Sequence, residues 1–176
     1  MITPRVSTAR IPWEIRLPSK DFKVWLREKN SYAFFFDGAS KGNPGVAGAG
    51  GVILDPDGKT EHSFAWGLGI RTNNEAEWLA LLQGLRFLQA KKHRKALIFG
   101  DSKHVISKIV NGYPSGAVRC RRLYNKVKSL WHHSYQPLHI LRINNKAADA
   151  MANIGATLSQ GVYKQDGDPP SHIYIP

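Results

Sequence analysis

From Tyr32 to Asp37 the chain reads YAFFFD, an apolar run closed by an acid, and two further strand-like runs follow at 46–54 and 60–67. Glycine-rich and Asp-Pro-Asp-Gly segments separate them, so the three are predicted to form an antiparallel meander. A helical period then runs from about Asn74 to Ala90. A strand at 96–101, a helix at 102–111, the breaker NGYPSG, a basic helix from about Gly116 to Trp131, a strand near 137–142 and a helix near 146–158 complete the pattern. This order predicts an α/β fold, a mixed sheet with antiparallel and parallel parts and helices on its faces. Residues 1–31 read as an amino-terminal arm with a short amphipathic helix from Ser19 to Glu28 presenting Phe22, Trp25 and Leu26. The domain proper is assigned to 32–158, and 159–176 to an extended, Pro-ended tail. No internal repeat is found.

Against this pattern four acids stand out. On the helix after TNN, Glu77 shares its face with Ala80, Leu81, Gly84, Leu85 and Leu88, whereas Glu75 lies with Trp78, Leu79, Leu82, Arg86 and Gln89, a mixed face. Glu77 is therefore expected to face the sheet, where a charge must be compensated. Asp37 and Asp101 each close an apolar strand, and in open α/β sheets ligands bind at the carboxyl ends of strands. Asp149 lies among alanines small enough to let its helix approach the sheet. Each acid also has a plainer reading: Asp37-Gly38 as a hairpin turn, Asp101-Ser102 as a helix cap, Asp149 as a helix-start charge. Four carboxylates that converge would repel one another and take up protons. Divalent cations that prefer oxygen relieve this, and without a His or Cys cluster the choice falls on magnesium or manganese rather than zinc.

Composition narrows the function classes. The 176 residues suffice for one domain, and Cys120 is the only cysteine, so neither an internal disulfide nor a cysteine-based zinc site can form. No apolar run reaches the roughly 20 residues of a membrane span, so no membrane partner is expected. The GASKGNPG segment lacks the spacing of a Walker loop. Two arginines and no acid in the first thirteen residues give a weak targeting signal that the prolines and Trp13 oppose, and an intracellular location is expected, without choice among nucleus, cytoplasm and organelle. The net charge of +12 is concentrated: Arg86 to Lys128 holds twelve Lys and Arg against one acid. Such a stretch can serve solubility alone, but its concentration favours a polyanionic partner.

Taken together, FFFDGASKGNPG, TNNEAEWLALLQGL, IFGDSKHVI and NNKAADAMAN resemble the motifs of type 1 ribonuclease H, in that family's order and spacing over residues 32–158. The resemblance implies a ribonuclease H-like fold with a five-stranded mixed sheet. It also implies endonucleolytic cleavage of the RNA strand of an RNA·DNA hybrid, leaving 5′-phosphate and 3′-hydroxyl ends. The family's catalytic and metal-binding quartet falls on Asp37, Glu77, Asp101 and Asp149, with two Mg2+ ions, replaceable by Mn2+, and Asp37 bridging them. Substrate contacts fall on Gly38, Ser40, Asn43, Asn73 and Asn74 for the RNA sugars and minor groove, and on Thr72 for a DNA phosphate. Two departures follow. The loop that carries a mobile histidine in many members is too short here, so His139 is placed in the strand and Arg142 is left as the catalytic cation. No long basic protrusion is present, and Arg119, Arg121 and Arg122 take its place as the hybrid-binding surface. The short form resembles archaeal-like and plant retroelement ribonuclease H domains, so a monomer carried by or derived from a reverse transcriptase is expected. The alternative is a catalytically silent hybrid-binding or scaffold domain of a reverse-transcriptase polyprotein. A related DNA-cutting transposase or resolvase is disfavoured by the Asn-rich segment.

Overall fold

The computed structural model describes residues 12–112 and 118–166. The targeting signal before Pro12, most of the NGYPSG breaker and the tail beyond Asp166 lie outside the described residues. In chain order the elements are β1 (Glu14–Ile15), α1 (Ser19–Lys29), β2 (Ala33–Gly42), β3 (Gly45–Leu54), β4 (Thr60–Arg71), α2 (Asn73–Ala90), β5 (Ala96–Gly100), α3 (Lys103–Asn111), α4 (Val118–Leu130), β6 (Tyr135–Ile140), a 3-10 turn (Arg142–Asn144), α5 (Lys146–Ala156) and β7 (Tyr163–Asp166).

The strands form one sheet in the order β1-β6-β5-β2-β3-β4-β7. As predicted, β2, β3 and β4 are an antiparallel meander, and β5 joins β2 in parallel. The expected five strands become seven. At one edge His139 N–H donates to the Trp13 carbonyl at 2.8 Å and β1 pairs with β6; at the other, β7 pairs with β4. Strands of two and four residues carry too little alternation to be read from sequence, but each supplies backbone partners that the outer edge of β6 or β4 would otherwise lack.

Strand length brings a second correction. Asp37 does not end its strand, because β2 continues five residues further and the hairpin turns at Gly42–Gly45. What ends near Asp37 is the parallel pairing with β5, whose last partners are Phe35 and Phe99. Asp37-Gly38 is therefore not a hairpin turn; it lies where β2 leaves its parallel neighbour. Asp101 follows the end of β5, and Ser102, not Asp101, caps α3 by accepting Val105 N–H.

Alternation along β2 divides the core. Phe34 and Phe36 pack with α2, α3 and α4, while Phe35 packs with Phe99 and with Phe22 and Trp25 of α1. The arm thus contributes to the core: the Phe22 ring meets those of Trp25, Phe35 and Phe99 with centroids 5.5–6.2 Å apart. Two glycines let helices rest on the strands themselves. A Cβ at Gly38 would fall 2.4 Å from the Ala76–Glu77 backbone of α2, and one at Gly50, the partner of Asp37, would fall 2.2 Å from Ala152 N of α5. Helices from opposite faces therefore approach the sheet backbone beside Asp37.

Because Phe22 is buried against three rings, Phe22→Ala is expected to destabilise the whole domain by about 3–5 kcal/mol. Urea unfolding followed by circular dichroism measures this. A loss under about 1 kcal/mol would show that α1 is not part of the cooperative unit.

Candidate active site

The geometry of β2, β5 and α2 brings three of the four predicted acids together. One carboxylate oxygen from each of Asp37, Glu77 and Asp101 lies within 4.8 Å of the others. Glu77 is delivered by α2, whose start is fixed by a capping box: Thr72 Oγ1 accepts Glu75 N–H at 3.1 Å, and Glu75 Oε1 accepts Thr72 N–H at 3.1 Å. From that cap, two further residues bring Glu77 against Gly38. Asp149, in the first turn of α5, is near enough for its charge and a hydrogen bond to act on Asp37. The sequence expectation for Glu75 needs amending, because α4 covers the face that looked mixed and Glu75 is buried. It serves the cap and an ion pair with Arg71 Nη1 at 3.3 Å.

The electrostatics follow from crowding acids in a poorly hydrated corner. Burial first, and the Asp101 charge second, push the Asp37 carboxyl up to about 7. Burial, and then Asp37, hold Glu77 well above the usual carboxylate range. Asp101 is raised by burial, against the opposing Asn145 hydrogen bond and the Arg142 and His139 charges. Glu77 Oε2 is buried with no hydrogen-bond partner. A carboxylate with one orphaned oxygen, in a cluster of carboxylates, fits a hard divalent cation: all the donors are oxygen, and an ion there would compensate both the desolvation and the repulsion.

The other predicted residues form the rim. Asn73 N–H donates to Asn43 Oδ1 at 3.1 Å, joining the β2–β3 hairpin to the start of α2, and Ser40 Oγ donates to the Gly42 and Arg71 carbonyls. Asn73 and Asn74 are exposed, whereas Thr72 Oγ1 is engaged with Glu75. Gly38 N–H is turned to Asp37 Oδ1 at 2.9 Å. Arg119 lies 4.0 Å from Glu75 Oε1, which sets the start of α4 beside the start of α2; Arg121 and Arg122 are exposed on the same helix. Arg142, in the exposed 3-10 turn, is near enough to act on Asp101, and His139 lies within β6 as expected. Sequence reasoning missed Asn145. Its position before α5 looks like a cap, but its buried Nδ2 bonds the Phe36 carbonyl at 3.0 Å and reaches Asp101 Oδ2 at 3.4 Å. An asparagine that could cap but is followed by an acid four residues on was the available signal.

The family model described as "Reverse transcriptase-like" matches residues 35–155, more than half of the chain and the whole acidic cluster. This chain belongs to that family. Ribonuclease HI of Halobacterium salinarum is 31% identical over 121 residues, covering 68% of this chain and 61% of its own length. An Arabidopsis thaliana protein, named provisionally as a ribonuclease H protein, is 30% identical over 133 residues, 74% of this chain but 21% of its own. The chain thus spans less than two thirds of either relative. Among solved structures, RNase H1 of Halobacterium salinarum NRC-1 superposes with a TM-score of 0.68 at 29% identity over 72% of this chain and 98% of that one. LC11-RNase H1, solved in complex with an RNA/DNA hybrid, gives 0.67 at 27% over 72% and 97%. The fold is that of the type 1 ribonucleases H.

The raised carboxyls make the metal-free protein sensitive to pH. Between its ordinary value of 3.8 and about 7, Asp37 holds more proton folded than unfolded, so unfolding free energy falls as pH rises through that window. Asp37→Asn removes the burden. The variant is expected to be more stable than the parent at pH 8 without metal, by roughly 1–3 kcal/mol, and the gap should close below about pH 4. Urea denaturation in chelator at both pH values tests this, and a variant less stable than the parent at pH 8 would contradict it.

Proposed function

We propose that this chain is a metal-dependent ribonuclease H that cuts the RNA strand of RNA·DNA hybrids. The observation that carries the reading is the convergence of Asp37, Glu77 and Asp101 within 4.8 Å, with Glu77 Oε2 buried and unpartnered. A scaffold without chemistry has no use for acids kept at such a cost in desolvation.

In this reading Asp37, Glu77, Asp101 and Asp149 hold two Mg2+ ions, for which Mn2+ can substitute. Ions held there would supply Lewis-acid activation of a water and charge compensation at the phosphate oxygens, for a hydrolysis that breaks the P–O3′ bond and leaves 5′-phosphate and 3′-hydroxyl ends. Because the Asp37 carboxyl must ionise to bind a cation, affinity should rise with pH through about 7. Asn43, Asn73 and Asn74 form one hydrogen-bonding rim that can read 2′-hydroxyls, the group that separates RNA from DNA. Gly38, Ser40 and Thr72 lie along that rim and shape its backbone. Arg142 offers the departing phosphate the fixed positive charge of a guanidinium. On α4, Arg119 and Arg122 share one face, which continues through Lys126 into a cleft also lined by Arg71 and Arg86. That line of cations is the track assigned to the hybrid backbone, and Arg121 points away from it. Descent from, or residence in, a reverse transcriptase rests on the family description alone.

Incubation with labelled RNA·DNA hybrid, RNA duplex and DNA duplex, with and without Mg2+, tests the proposal. Only the RNA strand of the hybrid should be cut, and only with metal; cleavage of DNA duplex, or none of the hybrid, would refute it. Asp37→Asn and Glu77→Gln should each lower turnover by roughly a thousandfold or more with hybrid binding retained. Glu75→Gln should be mild, since glutamine also closes the capping box. The reverse order for the two glutamates would overturn the assignment of Glu77.

Neutralising Arg119 and Arg122 should weaken hybrid binding and reduce the slope of log affinity against log salt by roughly one for each phosphate left without its cation. Arg121→Gln alone should change the slope less. A salt titration of fluorescence anisotropy decides, and an unchanged slope for the pair would place the hybrid elsewhere.

A further inference from the structure

Glu14 in β1 is a buried carboxylate, 3% exposed, that the proposed reaction does not use. Its Oε1 lies 3.1 Å from Lys103 Nζ and 3.5 Å from His139 Nδ1, and Oε2 lies 3.8 Å from Arg16 Nε. Oε1 makes no directed hydrogen bond and is held by charge. Two of these partners lead to Asp101. Lys103 begins two residues after it, at the first position of α3. His139 pairs with Glu14 on one side and with Gly100 on the other, and its Nε2 lies 3.2 Å from the Asp101 carbonyl, which a ring nitrogen can meet only as a donor.

Resting on the cation-binding reading above, we propose that Glu14 is a positioning residue for the carboxylate cluster, acting through Lys103. The lysine stem is long enough to turn its ammonium back toward Asp101, where clustered carboxylates would attract it and where it would compete with the cation. Glu14 holds that ammonium on the far side of β6, outside the cluster. The contact between His139 and Asp101 ties the same corner to the strand end, so that Asp101 keeps its carboxylate turned to Asp37 and Glu77. The amino-terminal segment thereby reaches the site without touching substrate.

The test is Mn2+ binding by the full chain, read by electron paramagnetic resonance without substrate, with a thermal melt of each protein. Wild type should bind and Asp37→Asn should not, which secures the site itself. Glu14→Gln should weaken binding by about tenfold, and adding Lys103→Met should restore it to within about threefold of wild type, as expected of a group acting through an outer partner. A purely structural role for Glu14 predicts that any loss and recovery of binding follow the melting temperature, whereas release of the Lys103 ammonium changes affinity at an unchanged melting temperature. Unchanged affinity in Glu14→Gln, or a loss that Lys103→Met does not recover, overturns the proposal while the cation reading stands. Failure of the wild type to bind Mn2+ in an Asp37-dependent way would remove both.

Discussion

Any side chain at Gly38 would collide with the backbone of Ala76 and Glu77, so α2 can rest on β2 only where β2 carries a glycine. That contact holds a buried glutamate against a buried aspartate, each pushed up by burial and by a neighbouring carboxylate. The raised carboxyls of Asp37 and Glu77 follow from that burial and crowding, while Asp101 is raised chiefly by its own burial. The fold tolerates this corner because it is secured elsewhere, by the aromatic cluster under α1 and by the large apolar residues between α2 and the sheet. Burial and like charges that shift carboxyls in this way cluster at functional sites.

The second helix seated on glycine is α5. Its approach at Gly50 brings Asp149 to the side of Asp37 opposite α2, and Asn145, at its start, bonds the β2 carbonyl next to Asp37. The acids thus come from β2, α2 and α5 and from the bend directly after β5, where the Asp101 carbonyl is met by His139 Nε2. Such placement favours preorganised chemistry over a site that must assemble on binding.

Much of this was legible in the sequence, for identifiable reasons. The 3.6-residue period separates Glu77 from Glu75, and in the structure Glu77 lies in the carboxylate cluster while Glu75, also buried, closes the helix cap. The apolar runs reveal the central strands because buried parallel strands are nearly continuous in hydrophobicity. What stayed hidden depends on contacts distant in sequence. Glu75 looked half-exposed because the helix that covers it begins more than forty residues later. Asp37 looked terminal because the residues after it are glycine, alanine, serine and lysine, which carry no strand signal although β3 pairs with every one of them. Asn145 and Glu14 act across 44 and 89 residues on Asp101 and Lys103 respectively, separations that no local pattern records.

The two strands added at the rims have a further effect. β1 is two residues long, and β7 carries Lys164, Gln165 and Asp166 as exposed side chains. Neither offers an incoming chain a long, flat, apolar ladder to extend, and short or charged outer strands are how sheet proteins avoid joining edge to edge. Among the described residues the sheet thus ends in edges that give another strand little to extend, so its apolar centre is cohesive without being presented as a template at either rim.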